Sequence, residues 1–96
     1  MKFLGFWKLG KDITSSKLGK AAAEIMEKGL FPSKGVEVKE WLVCPGGKGI
    51  VLMEADSEAD IFRAYSIWAD AIPGFFDEYE VLPALEIADA VSISLE

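Results

Sequence analysis

The stretch KFLGFWKL, residues 2 to 9, limits the possible folds more than any other part of the chain. Read with the two-residue period of a strand, it sends Phe3, Gly5, Trp7 and Leu9 one way and Lys2, Leu4, Phe6 and Lys8 the other. Both faces are apolar at the centre. Such a strand belongs inside a sheet that is covered on both sides. With 96 residues the chain makes one domain, residues 1–96. A domain that small has few elements with which to cover two faces. Its hydrophobic fraction of 51% is therefore more than one small core needs, and self-association is the simplest outlet.

The remaining elements follow from period and punctuation. Thr14, Ser15 and Ser16 offer helix N-caps, and Leu18, Ala21, Ala22, Ile25 and Met26 follow at helical spacing until Gly29 and Pro32 stop them. GVEVKEWLVC, residues 35 to 44, alternates as a strand, with Val36, Val38, Glu40 and Leu42 on one side and Glu37, Lys39, Trp41 and Val43 on the other. GIVLMEA, residues 49 to 55, is the next strand. Between them CPGGKG lacks the G-x-x-x-x-G-K-[ST] spacing of a phosphate-binding loop, and a strand follows it where that loop needs a helix. It reads as a hairpin in which Gly46-Gly47 supplies a type I′ turn, Cys44 lies opposite Gly49 and Lys39 opposite Glu54. Ser57, with Asp60 three residues on, starts a second helix whose apolar stripe is Ile61, Phe62, Tyr65, Trp68, Ala69 and Ile72. Residues 77 to 85 form a fourth strand, which Pro83 either holds to a sheet edge or brings to its end. The alternation of Val91, Ile93 and Leu95 predicts a short fifth strand that crosses to a free edge of a partner, rather than a disordered tail, since loose tails are seldom so apolar.

The order β-α-β-β-α-β is the ferredoxin-like, split βαβ arrangement: an α+β domain with a four-stranded antiparallel sheet, both helices on one face and an extra C-terminal strand. One sheet face is left bare. A second copy burying that face makes a homodimer, and closed two-fold dimers are the commonest solution.

Composition removes several classes of function. The net charge is −6 and Arg63 is the single arginine, which argues against nucleic acid and anionic membranes as partners. No apolar run approaches the roughly 20 residues of a spanning helix, and the opening MKFLGFWKLGKD is too short for a signal segment. A lone cysteine fits a reducing, cytoplasmic setting. The absence of histidine removes Ser-His and Cys-His nucleophile pairs and the usual catalytic zinc set. The acidic run Asp77, Glu78 and Glu80 lacks the loop spacing of a calcium site, so no metal and no cofactor is expected.

KFLGFWKL, WLVCPGGKGIVLMEADS, and IFRAYSIWAD followed by FFDEYEVLPAL resemble a family of small uncharacterised proteins, a domain of unknown function similar to the dimeric α/β-barrel superfamily. The resemblance spans nearly the whole chain. It implies two sheets facing one another in a dimer and a pocket in each subunit between sheet and helices. Members of that superfamily include cofactor-free monooxygenases, lactone isomerases, haem-degrading enzymes and ligand-sensing modules. The haem-degrading branch relies on histidine, which this chain lacks.

Two readings are weighed for each candidate residue. Trp7, Trp41 and Trp68 are core and interface packing, or some of them line a pocket for a flat apolar ligand. Tyr65 lies on the stripe of Trp68 and adds a hydroxyl, so Trp7, Tyr65 and Trp68 are the expected ligand contacts. Glu54 is an ordinary partner for Lys39 across the ladder, or a carboxylate whose burial makes it a base. Glu54 and Tyr65 are thus the candidate catalytic residues. The expectation is a homodimer binding a small apolar or aromatic ligand. The alternatives are a cofactor-free monooxygenase or isomerase-like enzyme and a non-catalytic interaction or sensing module.

Overall fold

The computed structural model describes residues 1–96 as β1 (Lys2–Leu9), α1 (Ser15–Glu27), β2 (Val36–Cys44), β3 (Lys48–Ala55), α2 (Glu58–Ala69), β4 (Phe76–Ala84) and α3 (Ile87–Ser94). The strands form one antiparallel sheet in the order β2-β3-β1-β4. This is the ferredoxin-like α+β arrangement, with β1 inside the sheet as its apolar centre requires. β4 is an edge strand, where Pro83 leaves no ladder bond unmade.

Local signals set the helix starts. The Lys17 N–H donates to Thr14 Oγ1 at 3.2 Å, and the Asp60 N–H donates to Ser57 Oγ at 3.3 Å. The Asp60 carboxylate does not return the favour to Ser57; it pairs with Arg63 at 2.7 Å instead. Both long helices lie on one face of the sheet. Phe3 and Leu9 of β1 and Val51, Met53 and Ala55 of β3 are buried with Ala21 and Ile25 of α1 and Ile61, Ala64 and Trp68 of α2. The opposite face carries Leu4, Phe6, Leu42, Ile50, Leu52 and Leu82, and no helix covers it.

The β2–β3 hairpin differs from its expected register. The Gly47 N–H donates to the Cys44 carbonyl at 3.1 Å, with Pro45 at the second and Gly46 (φ 100°) at the third position of the turn. That is the pattern of a type II turn, and it takes a proline and then a residue free to reach positive φ. Cys44 therefore pairs with Lys48, not Gly49. A second shift falls between Val38 and Glu40, where Lys39 is the extra residue of a β-bulge. Across the bulge Trp41 pairs with Val51, while Val38 pairs with Met53. Trp41 thus shares the helix-covered face with Val36 and Val38, the reverse of simple alternation.

The expected C-terminal strand is the helix α3. The alternation of Val91, Ile93 and Leu95 is real, but a strand needs a neighbour, and α3 satisfies its backbone within itself. Alanines at 88 and 90 favour the helix, and Ser94 donates to the Ala90 carbonyl at 2.9 Å. Nothing in α3 is buried, and Ile87, Val91, Ile93 and Leu95 are all exposed. Its root is tied by the ion pair of Lys2 with Glu86, on the uncovered side of the sheet. That hydrogen bond holds the Glu86 carboxyl below its ordinary range. The radius of gyration, 14.7 Å, exceeds the roughly 12.5 Å of a compact chain of this length.

Candidate functional site

Between the sheet and the two long helices lies a cavity of about 40 Å³ whose lining is wholly hydrophobic and aromatic. Each wall has a local cause. Trp7 reaches it from β1 by lying across Gly49, its partner on β3; a Cβ at that position would run into the indole ring. Trp41 reaches it because the three-residue loop sets it opposite Val51, and the bulge at Lys39 lets it share that face with Val38. Trp68 is carried in by the third turn of α2 and is 7% exposed. Phe31, in the loop before β2, closes a triangle with the last two. Ring centroids are 5.0 Å apart for Phe31–Trp41, 5.1 Å for Trp41–Trp68 and 5.5 Å for Phe31–Trp68, all edge-on. Such geometry is favourable beyond simple area burial. Trp41, 38% exposed, stands at the mouth.

The polar groups are few. Trp68 Nε1 is buried and has no hydrogen-bond partner. Tyr79 lines the cavity, with its hydroxyl held over Gly5 in the middle of the sheet. Burial pushes the Tyr79 phenol up to about 12, with a further contribution from nearby Tyr65. It is therefore neutral at ordinary pH. No carboxylate or lysine enters the lining. The arrangement can bind, orient and exclude water; it holds no group that moves a proton at neutral pH.

The residues expected from sequence are distributed unequally. Trp7 and Trp68 line the cavity. Tyr65 does not. It faces a separate groove between α2 and β4, bounded by Phe3, Ile61, Val81 and Tyr79, and its ring packs on Tyr79 at 4.6 Å and Phe76 at 5.8 Å. Glu54 lies on the other face of the sheet, outside the cavity. It is paired with Lys39 at 3.3 Å, and Lys39 also contacts Glu37 at 2.9 Å. Glu37 and Glu54 stand directly opposite one another, so Lys39 offsets a like-charge pair. Hydrogen bonds to Glu37 and then Glu54 raise the Lys39 pKa. The Lys39–Glu54 contact survives the register change only because the bulge displaces Lys39 toward Glu54.

Sequence reasoning missed Trp41 and Tyr79 as cavity residues. A signal for Trp41 was present: Lys39 and Glu40 are consecutive polar residues that break the strand period, which marks a bulge. Tyr79 had no comparable signal, since its position depends on the β1–β4 register that sets it opposite Trp7. No cluster of three or more cysteine or acidic side chains is placed to hold a metal ion. No helix is long and apolar enough to cross a membrane.

Among solved structures the chain is similar to SCO4226 from Streptomyces coelicolor A3(2), at 20% identity, 90% of this chain, 100% of that one and a TM-score of 0.53. It also matches protein Atu4242 from Agrobacterium tumefaciens, at 13% identity, 90% of this chain, 95% of that one and a TM-score of 0.47. The first supports the fold. No curated protein matches the chain. A family model matches from residue 1 to residue 96, over every element that builds the cavity, and the chain belongs to that family, a domain of unknown function (DUF3303).

Proposed function

We propose that this protein is a homodimer that binds a small apolar molecule in the aromatic cavity and performs no acid–base catalysis of its own. The observation that carries the reading is the lining: three tryptophans and other apolar side chains, with no ionised group. The volume restricts the ligand. A cavity of about 150 Å³ is known to take benzene, and drug-sized ligands need about 300 Å³ or more. At about 40 Å³ the cavity, open beside Trp41, accepts a few heavy atoms, and a benzene-sized ring needs Trp41 to swing outward.

The dimer rests on area. Strands spaced about 4.8 Å apart and rising about 3.3 Å per residue give this four-stranded, eight-residue-long face roughly 500 Å². A stable interface needs about 800 Å² per partner. The helix α3, about 12 Å long and 10 Å across, adds roughly 120 Å² on one side. The sheet face and the arm together approach the requirement, and neither does so alone. A second reading, a docking module for another protein, draws on the same exposed α3. The oxygenase or isomerase alternative has only the family resemblance behind it.

Native mass spectrometry tests both parts. The expected species is two chains of 10.5 kDa each, with a retained small molecule or with tryptophan fluorescence that responds to small apolar compounds. A single-chain mass would end the dimer. A fluorescence spectrum indifferent to every such compound would end the cavity as a binding site.

A further inference from the structure

The helix α3 lacks the usual supports of a helix its size. It has eight residues, Ile87–Ser94, and isolated helices shorter than about 12–15 residues are marginal in water. Glu86 at its N-cap makes no side-chain cap, and no residue of α3 is buried within its own chain. Its pattern is nevertheless that of a helix made to be covered. Ile87, Val91 and Leu95 recur every four residues and form one apolar stripe, all of it exposed. The chain's own sheet does not cover it. Only Leu85 and Glu86 separate β4 from α3, and the Lys2–Glu86 ion pair fixes that root at the end of the sheet. The molecule is 49 Å long, and a nine-residue strand accounts for only about 30 Å of that.

The bare sheet face and the α3 stripe are thus two apolar surfaces of one chain, and neither covers the other within it. A two-fold dimer contains both surfaces twice, so a reciprocal exchange covers all four. We infer that α3 is an exchanged arm: Ile87, Val91 and Leu95 of each copy lie on the apolar centre of the other copy's sheet, made by Leu4, Phe6, Ile50 and Leu82. This inference rests on the dimer reading above and adds which surfaces meet. The areas agree with it. Two sheet faces of roughly 500 Å² each fall short of the total of about 1,200 Å² at which specific interfaces begin, and two arms of roughly 120 Å² each take the sum just past it. The partner then supplies the cover that an eight-residue helix needs, so ordering of α3 and formation of the dimer are one event.

Two measurements test it. Removing residues 87–96 takes nothing from the core, so the shortened chain should keep its sheet by circular dichroism. Its dimer should weaken roughly 100-fold or more in sedimentation, from the lost apolar burial of the arms. Val91→Asp alters one exposed side chain of the full chain and should weaken the dimer in the same direction; it decides alone should the shortened chain fail to fold. For the second measurement, Cys44→Ser removes the one native thiol, and Val91→Cys is combined in turn with Leu4→Cys, Phe6→Cys, Ile50→Cys and Leu82→Cys, then oxidised. Exchange requires at least one pair to give a covalent species of two chains. Cross-links only within a chain, or none in any pair, overturn the exchange. So does a shortened chain that dimerises as tightly as the full one, which leaves the dimer standing. A full-length chain that sediments singly at every concentration overturns the dimer and this inference with it.

Discussion

Val51 and Ile50 are neighbours on β3, yet Val51 is buried with Ile61 of α2 while Ile50 stands exposed on the other face. The same contrast runs through the whole sheet. One face is finished within the chain: helices, Phe31 and the tryptophans close over it. The other is equally apolar at its centre and has nothing above it. Chemical character therefore does not distinguish the faces; the source of the covering does. A face covered by its own chain is stable at any concentration. A face covered by a partner, as proposed for this one, would be subject to mass action.

Substitutions on the two faces should separate accordingly. The largest effect belongs to the finished face. Trp68→Ala should cost about 3–5 kcal/mol, a large part of the stability of a domain this size, and would appear as a lower urea midpoint at every protein concentration. On the unfinished face, Phe6→Asp should leave the far-ultraviolet circular dichroism intact and weaken the proposed dimer by roughly 30-fold or more, read by sedimentation. If Phe6→Asp unfolds the chain without changing its assembly, the contrast between the faces is lost. Gly49→Ala tests the closest fit on the finished face. It should cost about 1–3 kcal/mol and alter Trp7 emission, since the indole has to leave the strand. Tyr79 sharpens the comparison by pH. The unfolded phenol titrates near 10 and the folded one at about 12, so the folded state keeps a proton that the unfolded state loses. Stability should fall as pH rises from about 10 to about 12, and Tyr79→Phe should remove that slope. The smallest effect is expected at Lys39→Met, where exposed charges are involved. It should bring a slight loss, greater at low salt, with no pH dependence near neutrality because the Lys39 ammonium titrates above the ordinary lysine range.

Much of this arrangement was legible in the residues. The double apolar face of β1 implied both its central place and the bare surface beside it. Thr14 and Ser57 marked helix starts that their hydroxyls cap. Pro83 marked an edge. What escaped was register. Gly46-Gly47 is compatible with either a two-residue or a three-residue loop, and Pro45 as the leading corner decides for the latter. The shorter loop sets Trp41 opposite Val51 and so into the cavity, and the bulge then returns Val38 and Val36 to that same face, while Glu54 stays out of it. The C-terminal segment failed for a different reason. Alternation and helical spacing coincide over so few residues, and the absence of a strand to pair with, which favours α3, is a property of the assembled sheet.

The extra residue at Lys39 has a consequence for how such a chain can diverge. Deleting that one residue would restore simple pairing without turning either side of β2 over, because Val38 opposite Met53, Glu40 opposite Leu52 and Trp41 opposite Val51 alternate once Lys39 is gone. The doorway of the cavity would stay. What would go is the ammonium between Glu37 and Glu54, which face one another across the ladder. In relatives of this chain, a segment one residue shorter between Val38 and Trp41 should thus come with the loss of one of those two carboxylates, while the aromatic wall persists.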